Sequence, residues 1–212
     1  MNAHPETTNN QIALANDLSL WEQIKEDWIA HKRDWTKPGF RAVAVHRFGV
    51  WRMKIKPKLL RVPFSVLYKM MYRKVRNTYG IEIPYTVQLG RRVIVEHQSA
   101  IVVSGYSTIG DDSIIRQAVT LGNRYLERPH DAPKLGKRVN VGAGAKIFGD
   151  VSIGDGASIG ANAVVLKDVP AGATAVGIPA KIINYDKKNY DKNYDKFSDR
   201  DTQLQNRFSA KD

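Results

Sequence analysis

Residues 133–170 read PKLGKRVNVGAGAKIFGDVSIGDGASIGANAVVLKDVP, and their spacing decides the fold. Aliphatic side chains recur at a step of six, at Leu135, Val141, Ile147, Ile153, Ile159 and Val165, and glycine follows four of them, at Gly136, Gly142, Gly154 and Gly160. A period of six matches neither the 3.6 of an amphipathic helix nor the alternation of an ordinary strand. It matches a solenoid in which each hexapeptide supplies one short strand and one turn, and three hexapeptides close a coil of triangular section. The aliphatic residue points inward and stacks on its equivalents, while Gly, Ala, Asn and Asp occupy the corners. No hexapeptide buries its aliphatic group alone, so stability comes from stacking, at about 1.5–3 kcal/mol per buried side chain. A β-sandwich would show alternation within strands and irregular turn spacing, which this constant step argues against.

The step continues upstream through Ile83, Leu89, Val95 and Ile101, then resumes after a two-residue insertion at Ile109, Ile115 and Leu121; Val176 and Ile182 are expected to close the series. Residues 80–183 are therefore assigned to a parallel β-helix of about five coils. One polar excursion, residues 122–134 (GNRYLERPHDAPK), leaves the repeat, and a loop that departs from a rigid solenoid is a natural place for function.

Residues 18–79 read as α-helical. Trp21, Trp28 and Trp35 recur every seven residues and are expected on one helix face as packing residues. Asp17 or Ser19 can cap that helix, and Pro38-Gly39 breaks it. A second helix is expected from Phe40 towards Met53. After Pro57 and Pro63, a third is expected from Ser65 to Asn77, with Val66, Leu67, Met70 and Met71 on one side and Lys69, Arg73, Lys74 and Arg76 around the other. Residues 1–17 are polar and without period, and residues 184–212 repeat NYDK from Asn184, Asn189 and Asn193; both read as disordered termini.

The chain carries a net charge of +12, and between His31 and Arg76 fourteen Lys and Arg residues face one acid, Asp34. Such a segment attracts polyanions, although no stacking or groove-reading motif accompanies it, so nucleic acid is not the expected partner. The absence of cysteine excludes disulfides, thiolate metal sites and cysteine nucleophiles. No run is apolar enough for a membrane span or a signal peptide, and the expected location is the cytoplasm.

Two of the five histidines lie in or beside the solenoid. His97 falls two residues after the inward Val95, near a corner, and His130 lies in the excursion loop. An imidazole beside a carboxylate is suited to take a proton from a hydroxyl. Glu82 precedes His97 by fifteen residues, close to one coil, so the two are expected near the same corner. Two scattered histidines make no metal cluster, and metal catalysis is not expected. GDGASIG and GAGAKIFG match repeat corners and are weak as phosphate loops.

The segments GIEIP, IVEHQSAIVVSG, STIGDDSIIRQAVTLGN and AVGIPAKII, together with the opening stretch and KPGFRAVAVHRFGVWRMK, closely resemble the serine acetyltransferases of the left-handed β-helix hexapeptide superfamily. The resemblance implies a mainly β fold, a left-handed parallel β-helix preceded by an α-helical N-terminal region. It implies an acetyl-CoA-dependent O-acetyltransferase without a metal, assembled as a homotrimer or as a dimer of trimers through the helical region. By the same resemblance His97 is the general base, Glu96 is its neighbour in the family's acid-histidine pair, and Glu82 stands at the upstream catalytic carboxylate. Gly122, Asn123, Gly142, Ala143, Gly160 and Ala161 line the pantetheine groove, and Lys181 meets the CoA phosphates.

The excursion loop departs from the family pattern. Asp131 and Ala132 stand where an arginine and a histidine belong, leaving Arg128, His130 and Asp131 as the acceptor-binding candidates. An acid facing a serine carboxylate repels it, so a sugar hydroxyl of a surface polysaccharide or its precursor is the expected acceptor, with L-serine the alternative and a non-catalytic trimeric scaffold a third reading. The chain lacks the terminal isoleucine that docks the family into cysteine synthase, so that partner is not expected. The basic helical segment is expected to hold the enzyme at the inner face of an anionic membrane.

Overall fold

Strands of two to four residues wind about a single aliphatic column in the computed structural model, which describes residues 18–184. The termini read as disordered lie outside the described residues, except Asn184. Face 1 of the prism contains Ile81–Glu82, Ile101–Val103, Thr120–Gly122, Lys146–Phe148 and Val164–Val165. Face 2 contains Gln88–Leu89, Thr108–Ile109, Lys134–Leu135 and Ser152–Ile153. Face 3 contains Ile94–Glu96, Ile114–Arg116, Asn140–Val141, Ser158–Ile159, Thr174–Val176 and Lys181–Asn184. Each strand pairs in parallel with its equivalent one coil away, except Lys181–Asn184, which turns back and lies antiparallel on Thr174–Val176.

The six-step residues from Ile83 to Val165 are all buried. A second buried series, two residues earlier in each repeat, completes the core: Ile81, Val87, Val93, Val119, Val139, Ala145, Val151, Ala157 and Ala163. Corners close tightly because small residues stand where coils touch. A Cβ on Gly142 would lie 2.6 Å from the Ala161 nitrogen, so only glycine lets these backbones stack. The series does not end as expected. Val176 is only half-buried and Ile182 is 47% exposed; Val169, Ala173 and Ala175 take the inward places of the last coil, because the final strand reverses direction instead of continuing the winding.

Three helices precede the prism: α1 (Leu20–Ala30), α2 (Pro38–Trp51, extended by a 3-10 turn Arg52–Lys54) and α3 (Lys58–Tyr79). Ser19 caps α1, and Glu22 returns the bond to the Ser19 nitrogen, which satisfies two free helix donors. The helix ends at Ala30, so Trp35 lies beyond it, and Trp21 and Trp35 are exposed; the tryptophan spacing does not mark a packing face. α3 starts seven residues earlier than expected and carries Pro63 inside it. A proline there removes one helical donor but leaves the helix unbroken. Its inward side is Tyr68 and Val75; the four residues expected to share one side are divided, Met71 packing against the core while Val66, Leu67 and Met70 are exposed.

The helices close the free edge of the first coil. The buried His31 takes a bond from the Val95 nitrogen at 3.2 Å, and its other ring nitrogen donates to the Asp27 carbonyl at 2.7 Å. His46 donates to the Val87 carbonyl at 3.0 Å. Arg47 donates to the Leu89 and Gly90 carbonyls and is paired with the buried Asp27 at 2.8 Å. Two arginines of the basic segment, Arg47 and Arg52, are thus structural and buried; the guanidinium of Arg52 lies 4.4 Å from the Tyr68 ring and 4.5 Å from that of Tyr85. Among the described residues no helix is long and apolar enough to cross a membrane.

Candidate active site

The corner between faces 3 and 1 recurs in every coil and forms a continuous column. Ser99 donates to the Tyr79 carbonyl, Ala118 to Ser99, Gly144 to Gln117, and Asn162 to Ala143. At the top of the column Val164 donates to Gly177 and Ala180 to Val164. Left-handed backbone sets the turn, with φ of 67° at His97, 59° at Ala118, 74° at Gly144 and 57° at Asn162.

His97 stands at the bottom of this column, exposed. No hydrogen bond or ion pair within the described residues reaches its ring, so both nitrogens are open to a substrate or to a neighbouring chain. Gly142, Ala143, Gly160 and Ala161 lie higher on the same column, and Lys181 follows the topmost corner, exposed at the start of the reversed strand. Ala118, Gly142, Ala143, Gly144, Gly160 and Ala161 keep the column between the histidine and the lysine low, with Gln117 and Asn162 the larger side chains on it.

The two carboxylates have different surroundings. Glu82 lies on the outer side of face 1, half-buried, in register with Val102 of the next coil. Its charge and, more strongly, burial push the Tyr72 phenol up to about 12, so Tyr72 stays protonated beside it. Glu96 points out from face 3, where Arg116 of the next coil holds it at 2.9 Å. Arg116 also donates to the Asn140 side-chain oxygen at 2.5 Å. Glu96 is therefore engaged along its own face and, among the described residues, makes no bond to His97.

Gly122, Asn123 and the excursion loop lie at the other edge of face 1, so within one chain they do not share the His97 column. Phe148 packs against Gly122, and the Asn123 amide donates to the Tyr125 carbonyl at 2.6 Å. In the loop, Arg128 pairs with Asp131 at 3.5 Å and lies 4.5 Å from the Tyr125 ring. His130 meets Tyr106 edge-on at 4.3 Å, and Ala132 is buried. The negative charge of Asp131 is thus offset by Arg128, which remains exposed.

Sequence reasoning missed Tyr106, Arg116 and Lys146. Lys146 reaches from face 1 to the Ala118 carbonyl and sets a positive charge beside the corner column. All three are polar or aromatic groups at outward positions of a repeat whose inward positions are aliphatic, and that contrast is visible in the sequence. Among the described residues no group of three His, Cys, Asp or Glu side chains could hold a metal ion.

Residues 132–167 match the bacterial transferase hexapeptide family (six repeats). A serine acetyltransferase from Helicobacter pylori is 38% identical over 176 residues, 81% of this chain and 99% of that protein. A soybean serine acetyltransferase solved in complex with serine superposes with a TM-score of 0.68 at 31% identity, covering 81% of this chain and 72% of that one. A serine acetyltransferase solved in complex with CoA superposes with a TM-score of 0.65 at 30% identity, covering 81% and 72%.

Proposed function

The chain belongs to the serine acetyltransferase family and is an acetyl-CoA-dependent O-acetyltransferase, and from that premise we propose that its acceptor is L-serine. The observation that carries this is the match to a relative of that name along 99% of the relative's length. The sugar acceptor expected from the loop gives way to serine. That expectation took Asp131 as an acid standing alone, whereas Arg128 lies 3.5 Å from it and offsets its charge in part. An exposed guanidinium at the loop surface is a suitable partner for a carboxylate.

In this reading His97 takes the proton of the serine hydroxyl as the oxygen attacks the thioester carbonyl. The tetrahedral intermediate expels the CoA sulfur, which regains that proton from the imidazolium. The pantetheine arm lies along the column through Gly142, Ala143, Gly160 and Ala161, with Lys181 at the phosphate end. Four coil spacings separate the two ends, about 19 Å, a length suited to an extended thioester arm. His97 and the loop carrying Arg128 and His130 stand at opposite edges of one face, so a complete site takes the histidine corner from one chain and the loop, with Gly122 and Asn123, from another. This favours a trimer of parallel prisms. Glu82 is the carboxylate proposed to orient the imidazole there, since Glu96 is held by Arg116.

The test is thiol release from acetyl-CoA with L-serine, and separately with free sugars and oligosaccharides. Turnover is expected with serine, and Arg128→Ala is expected to raise KM for serine about tenfold or more, in line with the loss of a charge-assisted bond. Turnover on sugars with none on serine would overturn the reading.

A further inference from the structure

Within the single chain, α3 presents an outer face that no other described element covers. Its inner side, Tyr68, Tyr72, Val75 and Tyr79, packs towards the first coil. On the opposite side, Leu59, Val62, Pro63, Val66, Leu67 and Met70 follow helical spacing, and Leu59 is 84% exposed and Met70 60%. The stripe is bordered by Lys58, Lys69, Arg73 and Lys74, none of which makes an ion pair among the described residues. No Asp or Glu occurs between Asp34 and Glu82. The helix is 22 residues long, about 33 Å, and the apolar stripe fills its N-terminal half.

We propose that this face docks on the surface of an anionic lipid bilayer, with the Leu59–Met70 stripe entering the headgroup boundary and the lysines and arginines reaching lipid phosphates. Two features select this occupant. An apolar stripe inside a basic rim matches both components of an interfacial site, the acyl boundary and the negative headgroups. Long basic side chains on the rim can lay their methylenes along the apolar stripe and keep their charges at phosphate level. A second copy of the helix would bring basic rim against basic rim with no acid from the segment to pair it. A nucleic acid would leave the stripe without a counterpart. The proposal goes beyond acetyl transfer and stands independently of the acceptor.

The full chain is to be floated with vesicles of pure phosphatidylcholine and with vesicles containing about one third phosphatidylglycerol. Binding to the anionic vesicles is expected to exceed binding to neutral ones at least about tenfold and to weaken as salt rises. Reversal of the rim in K69E/R73E/K74E is expected to remove that preference, and V66E/M70E to lower binding to both kinds, with acetyl transfer in solution unchanged in either variant. The wild-type comparison requires no variant to fold. Absence of binding, or equal binding to neutral and anionic vesicles, overturns the proposal. So does a fall in particle mass for V66E/M70E in solution, which would make the face a protein interface.

Discussion

His97 occupies a left-handed corner at φ 67°, a conformation that asparagine tolerates better than most side chains. His97→Asn should therefore keep the corner and remove the base: kcat is expected to fall about 10²–10⁴-fold while the urea midpoint stays in place. A variant of undiminished kcat would exclude His97 as the base. The two helix histidines have a different task. Burial, aided by the charge of Arg47, holds the His46 imidazole neutral, lowering its pKa from 6.5 to about 3, and burial also lowers that of His31. The unfolded chain binds protons at both positions near pH 6.5, whereas the folded chain binds them only in more acid solution. The contribution of both is complete above about pH 6.5; that of His46 is lost as pH falls towards about 3, and that of His31 is lost on the acid side of 6.5. Urea midpoints are expected to drop steadily from about pH 7 to about pH 4, and less steeply in His46→Gln, whose amide can still donate to the Val87 carbonyl. Equal slopes in the two proteins would contradict the assignment.

At the scale of elements, one buried ion pair fixes the helices to the prism. Arg47 and Asp27 are 5% and 1% exposed, and Asp27→Ala leaves the guanidinium buried with only carbonyls for partners. A loss of about 3–5 kcal/mol is expected on removing one member of such a pair, measurable by urea denaturation; a loss below about 1 kcal/mol would mean water reaches the arginine. The prism was legible because each repeat satisfies the same local rule, so Leu135 to Val165 announce their inward position by period alone. The helices follow no repeat. Whether Val66 or Tyr68 faces inward depends on which side of α3 meets the first coil, and amphipathicity cannot distinguish a side that packs from one that meets another medium. Arg47 and Arg52 escaped notice for the related reason that a buried charge is defined by partners distant in sequence. In the candidate site, the corner residues were legible from the repeat and the family resemblance. The pairing of Asp131 with Arg128 was not, because it depends on how an irregular loop folds.

At the scale of the whole molecule, a stacked prism has two ends, each an open row of backbone donors and acceptors, and rows of that kind invite further strands. Here the first end is covered by His31, His46 and Arg47 with their helices, and at the last end the reversed strand Lys181–Asn184 covers face 3. The covers differ in kind, one side-chain and one backbone, and so should their removal. A chain ending at Gly177 bares only the last end, and two such ends can pair with each other in the antiparallel sense that the missing strand had used. The particle is then expected to double in mass by light scattering and grow no further. Residues 80–177 alone would bare both ends, allowing end-over-end growth into filaments. The helical region is then expected to have a duty that no activity assay reports: it closes one end of a fold that could otherwise extend itself.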